Sequence, residues 1–187
     1  MLFFLSGCIV QSFDTGEQTI AEPESIPEPD AITLIDPTIL PSGDQPCREP
    51  LLVRVNHVVD GDTMYAQFPE GEEKIRFIGI DTPELGYDGT EDECYAQESL
   101  AFLRELIDNQ RVWLTFDQLC TDVYGRYLAY VHIDAGSQGF VQRLQLQRGM
   151  GKDFPFDDTP TFNNQFLEDA AQAQAAQVGG WGACNWN

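Results

Sequence analysis

Apolar and polar positions are patterned differently on the two sides of residue 50. Leu51 to Val55 is apolar and β-branched, which predicts a strand. Met64 to Phe68 and Lys74 to Ile80 flank the turn cluster Pro69-Glu70-Gly71-Glu72 and predict a hairpin. Ala96, Leu100, Leu103 and Ile107 fall at helical spacing within residues 96–109. Arg111 to Phe116 and Tyr127 to Ile133 are predicted as further strands joined by a loop. Phe140, Val141 and Leu144 begin a short helix that Gly149 can end. A last helix is predicted from Phe162 to Gln177, with Phe166, Ala170 and Ala173 on one face, Thr161 as its cap and Gly179-Gly180 as its stop. Five strands with a helix after the third is the order of an OB-fold β-barrel, an α+β architecture, here with three helices.

Before residue 50 the texture is different. Gln11 to about Pro50 is rich in Pro, Glu, Asp and Thr, as in Glu22-Pro23-Glu24 and Pro27-Glu28-Pro29-Asp30, and predicts an extended, solvated spacer. Within it Ile32, Leu34, Ile35, Ile39 and Leu40 form an apolar run whose partner the sequence does not name. The 187 residues carry a formal charge of -21. Residues 1–46 hold 8 acids and no base, which leaves 23 acids and 10 bases, or -13, for the rest. Such a balance opposes the basic footprint usual in proteins that bind nucleic acid.

The five cysteines separate by position. Leu5-Ser6-Gly7-Cys8, after Leu2-Phe3-Phe4, resembles the lipobox of bacterial lipoproteins, with Cys8 as the lipid-bearing residue. The apolar run is too short to span a bilayer and lacks a basic start, so the expected signal peptide is partial. The alternative is a chance tetrapeptide in an ordinary clipped signal. The layout expected is therefore signal remnant over 1–7, lipidated spacer over 8–49 and folded domain over 50–187. The expected location is the cell envelope, as a lipoprotein on the periplasmic face of the outer membrane or on the cell surface, or a secreted form. Cys47, Cys94, Cys120 and Cys184 remain, an even set that suits disulfides outside the cytoplasm and leaves three pairings open. Their wide spacing, with only His57 and His132 to help, argues against zinc.

Three segments carry candidate chemistry. Asp60-Gly61-Asp62-Thr63 enters the hairpin; Arg76 lies on its return strand, followed by Asp81-Thr82-Pro83-Glu84. With the turn near Glu70 and Gly71, residue 81 is expected opposite residues 60 and 61, which gathers the carboxylates at one end. Carboxylates held close repel one another unless a cation sits between them, and hard oxygen donors suit Ca²⁺ or Mg²⁺. The third segment is Asp122-Val123-Tyr124-Gly125-Arg126. Taken singly, each has a plain reading: an Asp-Gly turn, a core-edge arginine paired with a carboxylate, a β-turn with a solvated arginine.

Taken together, in this order and spacing, the three segments resemble the signature blocks of the staphylococcal nuclease (thermonuclease) family over about residues 50–182. The resemblance implies a Ca²⁺ held by Asp62, Asp81 and the carbonyl of Thr82, with Asp60 nearby. It implies that Glu84 orients or deprotonates the attacking water and that Arg76 and Arg126 grip the phosphate. Tyr124, Phe154 and Phe156 would contact substrate. The activity implied is calcium-dependent hydrolysis of DNA and RNA with little sequence specificity, by an exported, membrane-tethered monomer. Two departures stand out: Phe154-Pro155-Phe156 replaces the family's tyrosines, and the lysine-rich surface is missing. The family fold also suggests the disulfides Cys94–Cys120 and Cys47–Cys184. The alternatives are a non-catalytic OB-fold module that binds nucleic acid or protein, and a calcium-stabilised structural lipoprotein.

Overall fold

The computed structural model describes residues 30–155 and 161–186, so Cys8 and Phe156 lie outside the described residues. Five strands, β1 (Leu51–Val58), β2 (Thr63–Phe68), β3 (Gly71–Phe77), β5 (Arg111–Thr115) and β6 (Tyr127–His132), close a barrel in the order β1-β2-β3-β6-β5. Only the β3–β6 seam of this barrel is parallel. The alternation read from the sequence is the in–out alternation of the barrel wall. Val53, Val55, Met64, Ala66, Phe68, Ile75, Val112 and Leu114 are buried, whereas Arg54, Gln67, Glu72 and Arg111 are exposed.

Helix α1 (Ala96–Ile107) buries Leu100, Leu103 and Ile107, as its spacing predicts. Helix α2 (Val141–Gln147) packs on α3 (Asn163–Ala175), and a short α4 (Gly180–Ala183) follows. Edge-to-face contacts of Tyr130 with Phe140, Phe162 and Phe166, at centroid distances of 5.7, 4.9 and 6.2 Å, knit the helices to β6. The chain thus has the OB-fold α+β architecture expected, with one further helical turn at its end.

Four expectations need correction. First, the hairpin ladder does not run on to residue 81. Its register, Thr63 opposite Arg76 and Phe68 opposite Gly71, ends at Phe77. The chain then turns through Gly79 at φ +81°, and β4 (Ile80–Asp81) pairs with β7 (Lys152–Asp153) instead. A side chain at Gly79 would collide with the ring of Phe166, so the turn needs glycine for space as well as for conformation. Second, Thr161 does not cap α3: its amide and hydroxyl donate to the Asp117 carboxylate at 2.9 and 3.2 Å.

Third, the spacer ends earlier than residue 49. Residues 30–47 lie along β5, where Leu40 is buried and Trp113 Nε1 donates to the Ile32 carbonyl at 2.9 Å. Gly43 N donates to Phe116 O and Cys47 N to Asp117 O, both at 2.8 Å. Of the apolar run, Leu40 is buried and Ile32 and Ile35 are half-buried, whereas Leu34 and Ile39 stay exposed. Fourth, the disulfides are Cys47–Cys120 and Cys94–Cys184, with Cα separations of 5.6 and 6.0 Å. The strap just described lays Cys47 beside the loop after β5, where Cys120 sits. Helices α3 and α4 return the C-terminal segment to the approach of α1, where Cys94 sits.

Candidate active site

The loop between β1 and β2 places Asp60 and Asp62 at one edge of the barrel. Asp60 Oδ1 accepts from the Asp62 amide at 3.0 Å, a tight local turn. Gly61 at its apex has no room for a side chain, since a Cβ there would meet Ser99 Oγ and the Thr82 side chain. Its carbonyl accepts from Gln145 Nε2, which anchors the loop to α2. Asp62, buried, is held on every side. Oδ1 accepts from the Thr63 hydroxyl at 3.0 Å and faces Arg76 Nε at 3.1 Å. Oδ2 accepts from the amide and hydroxyl of Thr82 at 2.9 and 3.0 Å.

Arg76, also buried, comes from the end of β3, opposite Thr63. Its NH1 donates to the carbonyls of Phe77 and Ile80, both at 2.7 Å, and its NH2 to Asp81 Oδ1 at 3.0 Å. Three of the five guanidinium N–H groups donate in these bonds, Nε–H faces Asp62 as an ion pair only, and one N–H remains uncommitted. The turn at Gly79 delivers Asp81 to this cluster, through the Ile80 carbonyl that Arg76 grips. Glu84, exposed, follows on the same loop, its amide fixed by Glu93 Oε2 at 3.0 Å.

The electrostatics show crowding of negative charge. Burial, then the charges of Asp62 and Glu84, push the Asp60 carboxyl up to about 6. Burial raises Asp81, with Asp62 and Glu93 adding to it and Arg76 and Lys152 opposing. Glu84 is raised by burial and by Asp62 and Asp81. Four carboxylates therefore share the field of one guanidinium. Among the described residues, no three carboxylate, histidine or cysteine side chains converge as a ready-made metal cage, because Arg76 stands between Asp62 and Asp81.

Arg126 reaches the barrel from the loop before β6. Its Nε pairs with Asp122 Oδ2 at 2.6 Å, its amide donates to Asp122 Oδ1 at 2.9 Å, and its guanidinium lies over the Tyr124 ring at 5.6 Å. Burial tends to raise Asp122, but these bonds from Arg126, with one from the Tyr124 amide at 2.9 Å, hold it below the usual carboxylate range. Pairing of Ile75 with Tyr127 sets Arg126, one residue earlier, alongside β3 near Lys74. Tyr124 is exposed. Phe154, exposed, is tied to the Gly79 turn through its amide at 3.0 Å. Asp60, Asp62, Arg76, Asp81, Thr82 and Glu84 are thus one cluster. Arg126 and Tyr124 form a separate unit bound to Asp122, and no hydrogen bond joins the two.

Sequence reasoning missed Glu93 and Lys152. Glu93 sits in the acidic run Glu91-Asp92-Glu93, which gives no sign that it fixes the Glu84 backbone. Lys152 is placed opposite Asp81 only by the two-residue pairing of β4 with β7.

Comparison with known proteins places the chain among nucleases by sequence. Residues 74–183 match the family described as Staphylococcal nuclease homologue. The chain is 31% identical over 127 residues to the thermonuclease of Staphylococcus intermedius, covering 68% of this chain and 74% of that protein. It is 32% identical over 125 residues to the thermonuclease of Staphylococcus hyicus, covering 67% and 71%. Against the SPbeta prophage-derived endonuclease YokF of Bacillus subtilis strain 168 the identity is 28% over 131 residues, covering 69% and 43%. The chain belongs to the staphylococcal nuclease family.

Proposed function

We propose that the protein is a calcium-dependent phosphodiesterase that hydrolyses DNA and RNA with little sequence preference, exported and tethered to a membrane through Cys8. One observation carries the reading: Asp60, Asp62, Asp81 and Glu84 crowd one barrel edge with a single guanidinium among them. The relatives named thermonuclease and endonuclease support a nuclease.

The residues fit a hard divalent ion. Asp62 and Asp81 each place an oxygen within 3.1 Å of the same guanidinium, and for one metal ion to engage both, the Arg76 contacts between them would have to open. An all-oxygen donor set suits Ca²⁺, which takes six to eight ligands and accepts water for those the protein lacks. Asp62, Asp81 and the Thr82 carbonyl would hold it, with Asp60 nearby. When bound, it would neutralise charge on the phosphate and on the carboxylates around it.

The protein's own groups account for the rest. The uncommitted N–H of Arg76 and the fork of Arg126 bind non-bridging phosphate oxygens, whose charge grows during attack. Glu84, with its proton affinity raised by burial and by Asp62 and Asp81, takes the proton of the attacking water. The water oxygen bonds to phosphorus as the P–O bond to the leaving sugar oxygen breaks. That oxygen keeps the electron pair and is protonated from solvent. Recognition confined to phosphate and sugar explains the lack of sequence preference.

Digestion of plasmid DNA and RNA with Ca²⁺, Mg²⁺ or EDTA tests the chemistry, with Arg126→Ala and Glu84→Gln as controls. Cleavage is expected with Ca²⁺, and each substitution should reduce it by at least about a hundredfold. Cleavage that survives EDTA, or that neither substitution slows, rejects the mechanism. For the tether, Cys8→Ser should release the protein from membranes; membrane association unchanged in that variant rejects it.

A further inference from the structure

A chain with 31 acids and 10 bases has few cations to spare, so the location of the unpaired ones is informative. Arg76, Arg126 and Arg143 are in ion pairs, and Arg48 lies 5.3 to 5.5 Å from three aromatic rings. Among the described residues, Arg54, Arg111 and Arg148 have neither an ion pair nor a side-chain hydrogen bond, and all three are exposed; Arg148 ends α2, whereas Arg54 and Arg111 lie on the barrel wall. They face each other directly across β1 and β5. Like charges in that position destabilise a sheet, and a strongly acidic surface offers many ways to avoid it.

The pair belongs to a larger pattern on the outer barrel wall. Alternation and register set out three rows. One row runs Arg111, Arg54, Gln67, Glu72; the next runs His57, Tyr65, Lys74; the last is Thr63 with the catalytic Arg76. A bulge between Val55 and His57 lets both Arg54 and His57 face outward, although they are three residues apart. Contacts agree with the register: His57 stacks on Tyr65 at 4.6 Å, and Lys74 Nζ lies over the same ring at 5.7 Å. Glu72, the acid in these rows, is bonded to Asn56.

We infer that this face is a binding track for single-stranded polynucleotide, leading from Arg76 over Lys74 and the Tyr65–His57 stack to Arg54 and Arg111. Cations interleaved with aromatic faces are what single strands require, since phosphates seek the charge and bases stack regardless of sequence. Two residues per row and about 4.8 Å per strand make the track roughly 20 Å long. It rests on the nuclease reading for the identity of the ligand, and it eases the conflict between the -21 charge and a polyanionic substrate by placing two of the three unpaired arginines, with Lys74, along one path.

The double variant Arg54→Glu/Arg111→Glu tests it, since neither side chain supports the fold. Binding of a labelled single strand of about 20 nucleotides is followed by fluorescence anisotropy in EDTA at several salt concentrations. Hydrolysis of the same strand and of a p-nitrophenyl ester of thymidine phosphate is then compared. Affinity for the strand should fall at least about tenfold at 50 mM salt, and the slope of log K against log salt should flatten by about 1.4 for two lost phosphate contacts. Turnover of the small diester should not change. Unaltered strand affinity and slope would overturn the track, as would equal losses on both substrates or a variant that loses only binding to phosphatidylglycerol vesicles. If the unmodified protein cleaves neither substrate but the anisotropy change is seen, the catalytic reading fails and the track stands.

Discussion

His132 offers the sharpest test of the packing. It lies at the end of β6, fully buried, with its ring 4.7 Å from that of Phe140. The Thr115 hydroxyl has one proton, which goes to the Pro41 carbonyl at 2.6 Å, so at 2.9 Å it accepts from His132 Nε2. The neutral ring then carries its proton on Nε2, and Nδ1 is left buried without a partner. Protonation would place an N–H and a charge against that apolar wall. Burial accordingly lowers His132 from 6.5 to about 4, with the Pro41 carbonyl opposing. Above pH 6.5 the ring is neutral in both states and costs nothing. As pH falls from 6.5 to 4, the unfolded chain takes up a proton that the native one refuses, and stability drops by about 1.4 kcal/mol per pH unit. The loss reaches about 3 kcal/mol near pH 4 and then levels off, a large part of a typical domain's 5–15 kcal/mol. Urea unfolding at pH 7.5, 5.5 and 4.0 should show this slope in the unmodified protein, and His132→Gln should lack it after its constant destabilisation is subtracted. An NMR titration in which the His132 ring takes up its proton near pH 6.5, or a slope that persists in the variant, would refute the account.

Other expectations follow from the same contacts. Peptide mapping without reduction should recover Cys47 joined to Cys120 and Cys94 to Cys184; replacing the first pair by serine, across a separation of 73 residues, should cost about 4 kcal/mol in chemical unfolding. Gly61→Ala forces a methyl into Ser99 and Thr82, so it should lower stability by about 1–3 kcal/mol and reduce phosphodiester cleavage through loss of the Asp62–Thr82 bonds; full activity would contradict the crowding seen there. Arg143 forks onto the buried Asp169 at 2.6 and 2.9 Å, and Arg143→Ala should destabilise by about 3 kcal/mol, with Arg143→Ala/Asp169→Leu recovering much of it in thermal melts.

What the sequence showed clearly was whatever depends on local periodicity. Leu100, Leu103 and Ile107 announced α1, and the alternation of Val53 with Val55 and of Met64 with Ala66 announced the barrel wall. The three motif blocks likewise named Asp62, Arg76 and Asp81 before any coordinates. What stayed hidden depends on contacts between distant segments. Nothing near Cys47 states that residues 30–47 fold along β5, and the disulfide partners follow from that path. Thr161 precedes a helix as a cap would, yet Asp117, 44 residues away, offers its amide and hydroxyl a buried carboxylate and wins. Asp81 reaches Arg76 by a different route from the one expected, because Gly79 breaks the ladder that was to carry it. Arg76 was read as a phosphate ligand, but its commitment to two backbone carbonyls is invisible without the turn.

The strap along β5 also decides where this molecule can be cut. A chain begun at Leu51 would contain every barrel strand and every motif, yet it would be a poorer protein. Cys120 would be left as an unmated thiol beside the segment that presents Arg126. The indole of Trp113 and the hydroxyl of Thr115 would lose their acceptors, and the bed of Leu40 would open to water. The smallest faithful fragment therefore has to include the strap from Asp30 onward, well before the first motif residue.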